Sequence, residues 1–193
     1  LCGVHPGGMH MVLWLCELVS LLLGMGLVGE CWTLQDRLGI TLPADGEEPT
    51  VDILLPSCSE PLQIVRDTVL CALSLDYPPA KMRVLCCDDG GSDELRFWCH
   101  YVRHHHGHDG SDPCKPVLEY IRRTKVKGQP HHAKAGNLNH SMRYSSAEFV
   151  AIFDADMMPR ASFLRRVLPH FHSGGVALAQ TPQSFYNLTR DDP

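Results

Sequence analysis

The sequence has 193 residues, 44% of them hydrophobic and 20% charged, with a formal net charge of −5. That length suits one domain of ordinary size, or one with an appendage, and the apolar share excludes disorder throughout. A net negative chain lacks the basic face that neutralises phosphates, which excludes nucleic acid as a partner.

The first element is the apolar run MVLWLCELVSLLLGMGLV, residues 11–28, whose one ionisable side chain is Glu17. With Met9 and Gly29 it approaches the roughly 20 residues that span a bilayer. A central carboxyl costs about 2.5–3.5 kcal/mol on insertion scales, which several Leu and Val offset. Residues 9–29 therefore read as a transmembrane helix, in preference to a buried core helix or a signal peptide. The ten residues before the run hold no Lys or Arg, so a signal peptide's basic n-region is missing. Flanking charge gives no orientation, because the following stretch mixes Arg37 with several acids.

Residues 30–50, ending in PADGEEPT, are polar and rich in Pro and Gly and read as a linker. Alternation then begins. Residues 51–55 form a short apolar strand stopped by Pro56, and residues 62–75 have helical spacing with Ile64, Val65, Val69, Ala72 and Leu73 on one face. DYPPAK is a turn, and residues 82–87 form a second strand ending in DDGG. SDELRFWCHYV starts at Ser92 as N-cap and continues as a helix. VLEYIRR is a third strand, and AKAGNLNHSMRY a helix entered through Gly136. Residues 149–153 form a fourth strand, ASFLRRVLPHF a helix, and residues 176–180 a fifth strand.

Strands alternating with helices predict an α/β fold, with a mostly parallel sheet covered on both faces. Ligands of such sheets sit beyond the carboxyl ends of the strands. Glu60, Asp88, Asp89, Asp154 and Asp156 all fall there. The nine cysteines form no C-x-x-C pair and read as free thiols of a reducing compartment, most of them small core hydrophobes.

Asp154 and Asp156 would point to opposite faces of a straight strand, but at a turning strand end both can approach one ligand. Oxygen-only ligation selects Mg²⁺ or Mn²⁺ over zinc, and Mg²⁺ is commonly held by one or two carboxylates plus substrate phosphates. Lys134 supplies a cation near a helix start, where Gly136 lets backbone come close to a phosphate. Asp88 and Asp89, before Gly90 and Gly91, can accept from a base N–H or from ribose hydroxyls. Each feature alone is ordinary: a solvated strand end, a surface lysine, a polar glycine turn. Together they describe a nucleotide diphosphate clamped through a divalent metal.

The segments VDILLPSCSEP, DYPPAKMRVLCCDDG, HAKAGNLNHSM, AEFVAIFDADMMPR and VALAQTPQSFYN follow one another in a familiar order and spacing. Over residues 51–190 the chain resembles the membrane-embedded processive glycosyltransferases of family 2, above all cellulose synthase catalytic subunits and cellulose-synthase-like proteins. The resemblance implies a Rossmann-like GT-A domain over residues 51–193, preceded by a transmembrane helix. It implies a UDP-sugar donor, Mg²⁺ or Mn²⁺, and inverting transfer of a sugar, glucose by expectation, to a growing β-linked polysaccharide. A membrane location with a cytosolic GT-A domain follows, with the lipid bilayer and a synthase complex as partners. By matching position, Ser57, Glu60, Asp88 and Asp89 border the uridine pocket and Lys134 meets the diphosphate. Asp156 coordinates the metal, with Asp154 beside it near the donor ribose or sugar. Gln180, Phe185, Tyr186 and Asn187 lie towards the acceptor.

There are departures. Cys58 and Ser59 stand where the family has an aromatic residue and an amide, and HHHGHDGSDPC, residues 104–114, reads as an inserted solvated loop rather than a zinc site. The family's later TED carboxylate, the general base, and its QxxRW motif do not occur in the 193 residues. The chain is therefore expected to be the front part of a longer enzyme, with donor binding but without acceptor activation. Two alternatives stand: a non-processive family member acting on a lipid or short acceptor, and a non-catalytic short form that binds UDP-sugar.

Overall fold

The computed structural model describes residues 6–32, 47–126, 128, 130–172 and 175–184. The chain divides into two compact units, Leu1–Ile40 and Thr41–Pro193.

The first unit holds helix α1, Pro6–Trp32. At 1.5 Å per residue its 27 residues run about 40 Å. Within it His10–Val28 is long and apolar enough to cross a bilayer, and its side chains are exposed on every side. The helix overruns the predicted span, taking residues 30–32 from the expected linker. Residues 33–46 lie outside the described set.

The second unit alternates as its sequence does: β1 Val51–Ser57, α2 Leu62–Leu73, β2 Met82–Asp88, α3 Asp93–His105, β3 Val117–Arg122, α4 Ala133–Ser141, β4 Phe149–Ile152 and α5 Phe163–Val167. The strands form one parallel sheet in the order β3-β2-β1-β4. Side-chain alternation sorts the core onto two faces. Val51, Ile53 and Leu55 join α2, α3 and α5 in the main cluster, while Leu54, Leu85, Cys87 and Ile121 pack with Leu138 of α4 on the other. Burial in so apolar a setting pushes the Cys87 thiol up to about 11.

Several details differ from expectation. Pro56 does not stop β1 but lies within it, opposite Cys87. The Thr50 and Leu54 carbonyls accept from Phe149 and Phe153, so even-numbered residues of β1 turn towards β4. Pro56 faces the same side, yet the pairing of β4 with β1 ends at Leu54. Its missing N–H thus removes no ladder bond. Ile64 leaves the buried face of α2, 40% exposed, and Thr68 takes a place there. The expected fifth strand is absent: residues 176–180 have no regular structure among the described residues, and Leu178 is 80% exposed. A strand exists through its pairing, and this segment has no partner strand among the described residues.

Chain order explains where a ligand belongs. From β1 the sheet grows through β2 to β3, then the chain returns to place β4 on the opposite side of β1. The connections diverge between β1 and β4, opening a crevice at their carboxyl ends.

Candidate functional site

A cleft of about 370 Å³ occupies that switch point. It is lined by Pro56 and Ser57 at the end of β1, Cys58 and Glu60 just after it, Ile64 of α2, Ala133, Lys134 and Asn137 from α4, and Asp154, Ala155 and Asp156 after β4, with Asp89 at its side.

The acid pair reaches the cleft because the chain turns as soon as β4 ends. Met157 N–H donates to the Asp154 carbonyl at 2.9 Å, closing a turn. Between the two acids Ala155 is 5% exposed, and its carbonyl accepts from Thr68 Oγ1 of α2 at 2.6 Å. Pinning the middle residue inward leaves Asp154 and Asp156 both on the cleft. Thr68 was invisible in the sequence, a polar residue within a helical apolar face. A T-x-x-x pattern has no signal that separates it from a solvated threonine.

Lys134 opens α4 and its Nζ donates to Asp154 Oδ1. The expectation that the helix is entered through Gly136 fails. The entry is His132 and Ala133, both at positive φ (+54° and +42°), with no side-chain cap. Non-glycine residues held there cost on the order of 1–3 kcal/mol each. Gly136 lies in the first turn, where a Cβ would collide with the His131 carbonyl and the Arg123 guanidinium. The close approach its hydrogen permits is to the protein itself. Asn137, 2% exposed, donates from Nδ2 to the Cys87 carbonyl at 2.7 Å, and its Oδ1 has no partner among the described residues. Ser57 Oγ, also buried, has none among them either. Buried polar atoms are rarely left so, and these two belong to cleft-lining residues.

The two neighbouring acids at the end of β2 divide their work. Asp88 does not line the cleft and is 1% exposed. Its Oδ1 accepts from Gly90 and Gly91 N–H at 2.8 and 2.9 Å, and its Oδ2 from Ser92 N–H and Tyr120 O–H, each at 2.6 Å. Burial and the bond to Asp88 push the Tyr120 hydroxyl's pKa up. Asp88 therefore builds the loop that leads into Ser92, which caps α3 by accepting from Leu95 N–H as predicted. In this structure both Asp88 oxygens are engaged by the protein's own donors. Asp89 does line the cleft, with Arg123 and Lys125 on its carboxylate. Burial alone would raise its pKa, but hydrogen bonds from those two cations hold it below the usual carboxylate range. Arg123 and Lys125 were missed by sequence reading.

Glu60 accepts from the Cys58 N–H, so part of its carboxylate stabilises its own loop. Gln180 is exposed and does not line the cleft, and Phe185, Tyr186 and Asn187 lie outside the described residues. The His-rich stretch extends α3 to His105 and then turns, with His108 Nδ1 2.7 Å from the Pro116 carbonyl. No group of three His, Cys, Asp or Glu that could hold a metal occurs among the described residues. The acid pair alone, all oxygen, suits a hard cation whose remaining ligands come from phosphate and water.

Residues 52–193 match the family described as glycosyl transferase family 2. The chain belongs to that family. The family 2 chain is 35% identical over 186 residues to the cellulose synthase catalytic subunit (UDP-forming) of Xanthomonas axonopodis pv. citri (strain 306), covering 88% of this chain and 23% of that protein. Against the subunit of the same description from Pseudomonas fluorescens (strain SBW25) it is 37% identical over 164 residues, covering 84% of this chain and 20% of that one. It thus spans about a quarter or less of these relatives' length. Among solved structures, mannosyltransferase PcManGT from Pyrobaculum calidifontis, in complex with GDP-Man and Mn²⁺, superposes with a TM-score of 0.54 at 21% identity. That match covers 80% of this chain and 42% of the other, and it bears on the fold alone. The parallel sheet with helices on both faces is the GT-A arrangement expected from the resemblance.

Proposed function

We propose that this chain forms the donor-binding part of a glycosyltransferase that moves a sugar, glucose by preference, from a UDP-sugar to a growing β-linked polysaccharide. The observation that carries the reading is the cleft at the β1/β4 switch point, where Lys134 and the Asp154–Asp156 pair face one another. The likeness to UDP-forming cellulose synthase subunits favours uridine and glucose as the donor's parts.

Asp154 and Asp156 would hold Mg²⁺ or Mn²⁺, of which Mn²⁺ is named in the GDP-Man complex of PcManGT. Such a cation neutralises charge on a departing diphosphate. Lys134 would add its ammonium to the diphosphate. Ser57 and Asn137 offer the floor two polar atoms that want partners, and Glu60 and Asp89 border it. Asp89 carries two cations and Asp154 one, so neither is assigned the deprotonation of the acceptor hydroxyl. Gln180, Phe185, Tyr186 and Asn187 keep the acceptor-side assignment from the resemblance. On this reading the apolar span of α1 would lie in the bilayer and the family 2 domain on the cytosolic side, where UDP-sugars are available; the length and apolarity of His10–Val28 support the first part.

Calorimetric titration of the full chain with UDP, with and without Mn²⁺, tests this. Binding should require the metal and fall at least tenfold in Asp156→Ala. Metal-independent binding, or none by folded protein, would defeat the assignment.

A further inference from the structure

Arg123 follows β3 by one residue, with 11% of its side chain exposed, and does not line the cleft. Its guanidinium reaches two structures at once. Nε and Nη2 fork onto the two Asp89 oxygens at 2.6 and 2.9 Å. On its other side Nη1 donates to the His131 carbonyl at 2.7 Å, and Nη2 lies 3.5 Å from the Ala133 carbonyl. Those two carbonyls bracket the left-handed pair His132 and Ala133, directly before Lys134. Strained backbone persists only when its surroundings over-determine it. Asp89 keeps a second cation in Lys125 at 2.9 Å, so its charge does not depend on Arg123 alone. The absence of a side chain at Gly136 gives the guanidinium its space.

We propose that Arg123 is a positioning residue for donor binding, which sets the direction of Lys134 by holding the His131 and Ala133 carbonyls around the strained pair. It touches no ligand. A planar fork with five N–H groups can serve a carboxylate and two carbonyls together, and a lysine ammonium on a flexible stem cannot reproduce that geometry. The inference rests on the reading that Lys134 meets the diphosphate.

The test is a cycle on the full chain in detergent micelles: wild type, Arg123→Lys, Lys134→Ala and the double variant, each titrated with UDP in the presence of Mn²⁺. Arg123→Lys should weaken UDP about tenfold when Lys134 is present and less than about twofold when it is not, because the effect travels through that ammonium. Equal losses in both backgrounds overturn the proposal. Uridine, which lacks phosphates, should bind wild type and Arg123→Lys alike, and a parallel fall also overturns it. Adding Ala133→Gly to Arg123→Lys should restore most UDP affinity, since glycine takes the left-handed conformation unaided; no recovery counts against it. If near-UV circular dichroism shows Arg123→Lys unfolded, Arg123→Gln, which retains one donor group, takes its place in the cycle. Wild type that fails to bind UDP, or Lys134→Ala that binds it normally, would instead remove the donor-site reading on which the proposal stands.

Discussion

Lys134 and Asp154 hold each other across the cleft, the ammonium on the carboxylate, although the proposed function gives them different partners. The cation is meant for the diphosphate and the acid for the metal. In the protein alone each therefore competes with the other's ligand. Metal that displaces Lys134 frees it for phosphate, and phosphate that draws Lys134 away frees Asp154 for metal. The two ligands should bind with positive coupling beyond their direct contact.

This yields a prediction with opposite signs. Lys134→Met should tighten Mn²⁺ binding in the absence of nucleotide, by about two- to fivefold given how exposed the pair is. The same variant should weaken UDP binding in the presence of Mn²⁺ about tenfold or more. Manganese titration followed by electron paramagnetic resonance gives the first number and calorimetry the second. Unchanged or weaker affinity for free Mn²⁺ would show that the pair does not restrain the acid.

Gly136→Ala probes the entry to α4. The new methyl would meet the His131 carbonyl and Arg123, so either the loop or the guanidinium must move. Overpacking of this kind costs about 1–3 kcal/mol. Thermal unfolding should show that loss, and UDP affinity should fall with it because Lys134 lies two residues away. A variant with wild-type stability and affinity would mean that the lead-in to the helix has slack.

The order of elements was open to reading because apolar runs and glycine or proline punctuation carry it, and the likeness to family 2 supplied the register of the motifs. The Asp154–Asp156 pair could be placed on the cleft because it follows a strand end of a parallel sheet. What stayed hidden depends on tertiary pairing. Pro56 looked like a strand stop because a sequence does not say that β4 ends before it. The loop role of Asp88 stayed hidden because an acid-glycine pattern does not say which backbone N–H groups need an acceptor. Arg123 could not be singled out among its neighbours Arg122 and Lys125, since only the fold aims it at Asp89 and the His131 carbonyl.

Acid should destabilise the domain through Asp52 and Asp89. Burial opposes ionisation of Asp52, but Arg83, with Nη2 2.6 Å from its carboxylate, leads the bonds that overcome it, and the pKa falls below its ordinary 3.8. Asp89 is lowered against burial in the same manner. A depressed folded-state value means that both groups contribute their full stabilisation above pH 3.8. That stabilisation is lost as pH falls through their folded values. Melting temperature should therefore drop steeply below pH 4, and Asp52→Asn should flatten that drop while lowering stability at pH 7. An equally steep acid limb in Asp52→Asn would assign it to other carboxylates.

Tyr120→Phe separates the structural role of Asp88 from the ligand role first read for it. The hydroxyl donates to Asp88 Oδ2 at 2.6 Å from β3, and three backbone N–H groups supply the other bonds. Removing a hydrogen bond to a buried charge costs about 1.5–3 kcal/mol, which chemical denaturation would register as a lower midpoint. UDP affinity should stay within about twofold, because Asp88 is committed to its loop and does not line the cleft. If Asp88 also served ribose or base, freeing one of its lone pairs would change nucleotide affinity along with stability. A shift in UDP binding several times larger than that limit would return Asp88 to the donor site.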